Sequence, residues 1–99
     1  KMTRVVNKYK EPYDVYIGRG SKWGNPFRIG PDGSRAEVVE KYREWLLGHI
    51  SAPDDTKRPS LKEARKELTG KILGCFCKPL ACHGDILIEF LEILDEETK

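Results

Sequence analysis

All three cysteines of this chain and one of its two histidines lie in one short stretch, Cys75-Phe76-Cys77-Lys78-Pro79-Leu80-Ala81-Cys82-His83-Gly84-Asp85. Thiolates and imidazole bind zinc, so Cys75, Cys77, Cys82 and His83 form a candidate Cys3His set. Their spacing resists that use. Residues two apart on a strand are separated by about 6.6 Å at the α-carbon, whereas two thiolates on one zinc must approach to roughly 3.7 Å. The Cys-x2-Cys knuckle is also absent. A zinc-stabilised binding module is therefore the alternative reading, with Cys75 otherwise a small buried apolar residue. A thiol at a helix start beside an imidazole can also be a nucleophile. That makes Cys82 a candidate catalytic residue, with His83 as acid/base and Asp85 or Asp14 as a candidate orienting group.

A third chemistry uses the same stretch. Cys82-His83-Gly84-Asp85 stands where the last helix should begin, and unpaired backbone N–H groups there attract anions. Gly84 would let a ligand approach the backbone, His83 would contact it, and Cys77 stands at the strand exit. Asp85 competes for the same N–H groups. A second unusual segment, Gly18-Arg19-Gly20-Ser21-Lys22-Trp23-Gly24-Asn25-Pro26-Phe27, could complete the pocket. Arg19 and Lys22 supply charge, Arg19 with bidentate reach. Trp23 and Phe27 could stack on a base or wall the site, and Asn25 could read a polar edge. The plainer reading of Trp23 to Phe27 is a packed turn over the core, since Gly-Asn-Pro is ordinary turn chemistry.

These residues need elements to hold them. Thr3–Asn7 and Tyr13–Gly18 read as strands, the second alternating Tyr13, Val15 and Ile17 inward. The short link between them predicts an antiparallel hairpin. Ser34 with Glu37, and Ser60 with Glu63, have capping-box spacing. The first opens a helix with Val38, Val39, Tyr42, Trp45, Leu46 and Ile50 on one stripe. The second opens a shorter helix with Leu61, Ala64 and Leu68 inward, ended by Gly70. Lys71–Cys77 reads as a central strand, apolar on both faces. The last helix runs from Asp85 to about Leu94, with Leu87, Phe90, Leu91 and Leu94 inward and Ile86 and Ile93 widening the stripe. The expected fold is a single α/β domain. It has a small mixed sheet of about three strands, an N-terminal hairpin plus one parallel strand, covered by about three helices.

The crossover from the second strand to the third is long and helical, hence parallel and Rossmann-like. That places the loops 18–27 and 78–84 together at the carboxyl edge of the sheet, where ligands bind in open α/β folds. The whole reading of a shared site rests on this parallel pairing.

Composition sets bounds. At 99 residues the chain holds one domain with one core, 38% of it hydrophobic and 34% charged. Residues 1–2 are expected to lie outside the ordered fold and residues 95–99 to fray. Lys and Arg outnumber acids seven to two over residues 1–30, whereas acids lead eight to six over residues 61–99. A net charge of +2 gives no reason to expect duplex nucleic acid as a partner. No membrane span is expected. An odd cysteine count without a visible leader predicts a reducing, cytoplasmic setting.

The motifs Tyr16-Ile17-Gly18-Arg19 … Ser21-Lys22-Trp23-Gly24-Asn25-Pro26-Phe27 and Cys75-Phe76-Cys77 … Pro79 … Cys82-His83-Gly84-Asp85-Ile86-Leu87 resemble the uncharacterised family called domain of unknown function 4326. The resemblance covers about Val6 to Leu94. It implies a phage or bacterial setting, with host cytoplasm the location for a phage protein, and it implies that the two motifs belong together. It supplies no reaction. The expected function is binding of a nucleotide-like or other phosphorylated small molecule between segments 18–27 and 75–85, with catalytic turnover as a further expectation. The remaining alternative is an interaction protein that takes no small ligand.

Overall fold

The structure is a computed structural model; it describes the backbone of residues 2–97 and the side chains of residues 2–93. The expected frayed ends, residues 1–2 and 95–99, and the inward side chain of Leu94 fall wholly or partly outside the described residues. The elements follow the order β1 (Arg4–Asn7), β2 (Val15–Tyr16), α1 (Arg35–Leu46), α2 (Leu61–Leu68), β3 (Ile72–Cys75) and α3 (His83–Glu97). The class is α/β, as expected, with three helices and three strands among the described residues.

The sheet has the order β1-β3-β2, and both outer strands run parallel to β3. The expected hairpin does not form, because β3 lies between the two N-terminal strands and the sheet is wholly parallel. The register explains how so short a link suffices. Asn7 is level with Cys75 and Val15 with Leu73, so the chain moves two strand spacings sideways and two residues back. That is about 10 Å by about 7 Å, and eight Cα steps reach roughly 26 Å. The link crosses the face of β3 at Gly74, where an added Cβ would stand 2.5 Å from the Tyr13 ring. Tyr13 is thus used outside the strand, as a half-exposed lid on a bare patch of backbone. Asn7 anchors the start of the link, accepting the Tyr9 N–H through Oδ1 and donating through Nδ2 to the Lys78 carbonyl at 2.8 Å.

Both expected capping boxes are present, Ser34 with Glu37 and Ser60 with Glu63. Helix α1 buries Val38, Tyr42, Trp45 and Leu46. It stops before Ile50, because Gly48 takes φ +83° and the His49 N–H returns to the Glu44 carbonyl at 2.9 Å, a Schellman end. Ile50 and Ile93 are exposed, and β3 ends at Cys75, which leaves Phe76 exposed beyond it. Helix α3 begins two residues earlier than expected and packs against β1, α1 and α2. The core gathers Ile17, Tyr42, Leu68, Leu73 and Leu87, all fully buried.

The Gly74–Tyr13 contact is testable. Gly74→Ala is expected to destabilise the protein by about 1–3 kcal/mol in urea denaturation, the usual cost of overpacking. Combined with Tyr13→Ala, the same change should cost less than the sum of the two, because the colliding ring is gone; full additivity would contradict the contact.

Candidate functional site

The parallel pairing of β2 with β3 brings the two motif loops to one edge. Between them lies a cleft of about 230 Å³. The first loop contributes Arg19, Asn25, Phe27 and Ile29, and the second contributes Phe76, Cys77 and the run Leu80 to His83. Arg35, Val38 and Val39 complete it from the first turns of α1. Of the expected site residues, Arg19, Asn25, Phe27, Cys77, Cys82 and His83 therefore line one cavity.

The others do different work. Lys22 turns away to α2, where its ammonium reaches Glu67 at 2.7 Å and Glu63 at 3.0 Å. The Glu67 contact, and then Glu63, raise its pKa. Trp23 is buried in the core, and its carbonyl accepts the Tyr42 hydroxyl at 2.6 Å. Gly84 serves packing. A Cβ there would stand 2.8 Å from Ile17 Cδ1 and 3.0 Å from Val5 Cγ2, so glycine lets α3 settle on the sheet. Asp85 accepts the Cys82 N–H at 3.2 Å and pairs with Lys78. It makes no hydrogen bond to the imidazole of His83, so the expected Cys82–His83–Asp85 arrangement is not assembled.

Asn25 is a loop brace as well as a lining residue. Its Oδ1 accepts the Phe27 N–H and its Nδ2 donates to the Val38 carbonyl, both at 2.9 Å. Helix α3 opens behind Cys82, with a thiol in place of the usual capping hydroxyl and only the returning half of a capping box. The Gly84 N–H reaches Cys82 Sγ at 3.4 Å while Asp85 returns to the Cys82 N–H. The spacing Cys-x-x-Asp carried that signal, read with sulfur in place of the usual hydroxyl.

His83 is buried and braces the site. Its Nε2–H donates to the Ile17 carbonyl at 2.7 Å, which leaves Nδ1 as the acceptor, 3.6 Å from Cys82 Sγ. Tyr42 meets the ring edge-on at 5.0 Å. Burial holds the imidazole pKa below its ordinary value; Arg19 adds to the lowering, against the opposing pull of the Ile17 carbonyl and Asp85. Behind it, Cys82 Sγ lies 3.1 Å from Cys75 Sγ. The Cys82 contact pulls Cys75 down to about 6 against its own burial, with help from the backbone of Lys78 and Cys77. The same contact and burial push Cys82 up.

Metal is not supported as the organising group. Among the described residues, no set of three or more His, Cys, Asp or Glu side chains is gathered for an ion. Cys75 and Cys82 contact each other instead, and His83 spends Nε2 on a carbonyl. The electrostatics of the cleft point to anions. Two guanidinium groups and no carboxylate line it, and among the described residues neither Arg19 nor Arg35 has an ion-pair partner. Arg35 was not among the residues expected from the motifs. It was within reach of the topology, since a helix that follows a parallel strand starts near the same sheet edge.

The His83 brace predicts a pH dependence. Unfolded histidine titrates near pH ~6.5, while folded His83 stays neutral to lower pH. The unfolded chain then binds more protons, so stability is full above that pH and falls as pH drops below it. His83→Gln, which can keep the bond to Ile17, should lose this part of the acid slope in denaturation measured from pH 7 to 5. Equal slopes in the two proteins would contradict a neutral, braced imidazole.

No helix among the described residues is long and apolar enough to cross a membrane. No solved structure matches the chain. An uncharacterised 12.4 kDa protein of the nrdA-td intergenic region of Enterobacteria phage T4 is 40% identical over 95 residues, covering 95% of this chain and 82% of its own length. The uncharacterised protein R718 of Acanthamoeba polyphaga mimivirus is 29% identical over 114 residues, covering 97% of this chain and 80% of its own. Residues 2–93 match the family described as domain of unknown function 4326 (DUF4326). Both motif loops, and with them every residue that lines the cleft, fall inside that match, and the chain belongs to this family.

Proposed function

We propose that the cleft at the carboxyl edge of the sheet binds a small, flat, anionic molecule, a nucleotide-like or otherwise phosphorylated compound. One observation carries the reading: Arg19 and Arg35 line a cavity that has no carboxylate, with Phe27 and Phe76 among its apolar lining. Two guanidinium groups suit phosphate oxygens through charge-assisted, bidentate hydrogen bonds. Aromatic faces suit a planar ring. The β2–α1–α2–β3 crossover is Rossmann-like in this functional respect, since a ligand at the carboxyl edge of parallel strands is the general rule for such sheets. The volume, about 230 Å³, lies just below the range of ordinary small-molecule sites. The ligand is therefore of mononucleotide size or smaller, with part of it left in solvent. The working location is a reducing compartment, the host cytoplasm for a phage protein, where three free cysteines would persist.

The interaction-protein reading keeps one supporting observation. Ile29, Phe76 and Leu80 are exposed on the lining of the same cleft, which would suit a protein partner in place of a small ligand.

Calorimetry or thermal shift with a panel of nucleoside mono- and diphosphates and sugar phosphates tests the proposal. At least one compound should bind the wild-type protein. Arg19→Ala and Arg35→Ala should each weaken it by about ten- to a hundredfold, the value of one charged hydrogen bond, ~1.5–3 kcal/mol. Lys22→Ala should leave affinity unchanged. Binding by none of the panel would favour the interaction-protein reading.

A further inference from the structure

Two buried sulfurs remain unused by ligand binding. Cys75 ends β3 and Cys82 caps α3; each is 1% exposed, and their Sγ atoms are 3.1 Å apart. A disulfide needs about 2.05 Å, so the pair is about 1 Å of side-chain movement from a bond. The intervening chain doubles back, with the Leu80 N–H on the Cys77 carbonyl at 2.8 Å, and so returns Cys82 to the end of β3. The third thiol, Cys77, is half-exposed and hydrogen-bonded to neither sulfur among the described residues. Access is one-sided: Cys82 lines the cleft and Cys75 does not.

We propose that Cys75 and Cys82 are a redox-active dithiol that a hydroperoxide entering by the cleft converts to an intramolecular disulfide. Cys82 Sγ donates to Cys75 Sγ at 3.1 Å, so the Cys82 proton can pass to the Cys75 sulfur and leave Cys82, the sulfur on the cleft side, as the thiolate. The Cys82 sulfur attacks one peroxide oxygen and the O–O bond breaks. The departing oxygen takes up a proton and leaves as water or an alcohol, and Cys82 becomes a sulfenic acid. The Cys75 sulfur then attacks the Cys82 sulfur. The S–O bond breaks, water leaves with the Cys75 proton, and the S–S bond forms. The two thiols give up two electrons and the peroxide takes them. The bond would tie the end of β3 to the first turn of α3, across the floor of the cleft. The pair needs no ligand in the cleft, so this inference stands or falls separately from the binding proposal.

The test uses the whole chain, reduced, exposed to graded hydrogen peroxide, quenched with an alkylating agent and mapped by mass spectrometry without reduction. The expected product has lost two hydrogens, carries one alkylated thiol at Cys77, and yields a cross-linked peptide joining Cys75 to Cys82. Dithiothreitol should restore three alkylatable thiols. Cys77→Ser, which leaves both core sulfurs in place, should form the same cross-link, and Cys82→Ala should not form it. Oxidation of Cys77 to sulfinic or sulfonic acid while Cys75 and Cys82 both remain alkylatable would overturn the proposal. So would a stoichiometric metal ion held by the reduced protein in native mass spectrometry.

Discussion

The hydrogen bond from His83 Nε2–H to the Ile17 carbonyl, 2.7 Å long, is the contact on which the site depends. It joins the exit of β2 to the first residue of α3, two points 66 residues apart in sequence. Buried donors and acceptors must find partners, and here each supplies the other. The bond fixes the imidazole tautomer, turns Nδ1 toward Cys82, and holds the Arg19 loop against the start of α3. Gly84 makes the approach possible, since any side chain there would meet Ile17 and Val5. The cost is a histidine kept neutral by burial.

That contact is available only because β3 lies between β1 and β2 with all three strands parallel. Parallel pairing puts the exits of β2 and β3 and the start of α1 on one side. Two capping boxes, Ser34 with Glu37 and Ser60 with Glu63, then fix where α1 and α2 begin, and Cys82 with Asp85 marks the start of α3. Each satisfies backbone N–H groups at a helix start from within the chain. At α3 this leaves the protein's own groups where an anion was expected to sit. The positive charge of the cleft is supplied by the two arginines.

Much of this was legible in the residues. The Ser-x-x-Glu spacings marked both helix starts, and the long crossover predicted the parallel pair and the meeting of the two loops. The short link suggests a hairpin that does not form, because pairing partners are chosen by the whole sheet and nothing near residues 8–14 reports that β3 will intervene. Lys22 and Trp23 cannot be separated from Arg19 by sequence, because neighbours in an irregular loop carry no periodicity to tell inward from outward. In the fold Trp23 turns into the core and Lys22 toward α2. Gly84 signalled close approach, and the approaching group proved to be the sheet. Burial of Cys75 follows from its place on a central strand, but its sulfur neighbour does not, because strand geometry says where Cys75 and Cys77 stand and nothing of where Cys82 returns.

The chemistry open to the cleft follows from what its side chains have left to offer. His83 and Asp85 are engaged by the protein, whereas Arg19 and Arg35 are without carboxylate partners among the described residues. Recognition of an anion is therefore the central claim. Backbone and arginine side-chain NMR of the labelled protein, titrated with a nucleoside monophosphate, tests it most directly. Chemical-shift changes confined to residues 19–29, 35–39 and 76–83, with the largest at the Arg19 and Arg35 guanidinium groups, are the predicted result. Changes centred instead on the separate cleft between Trp45 and Glu63, with those arginines unmoved, would contradict it.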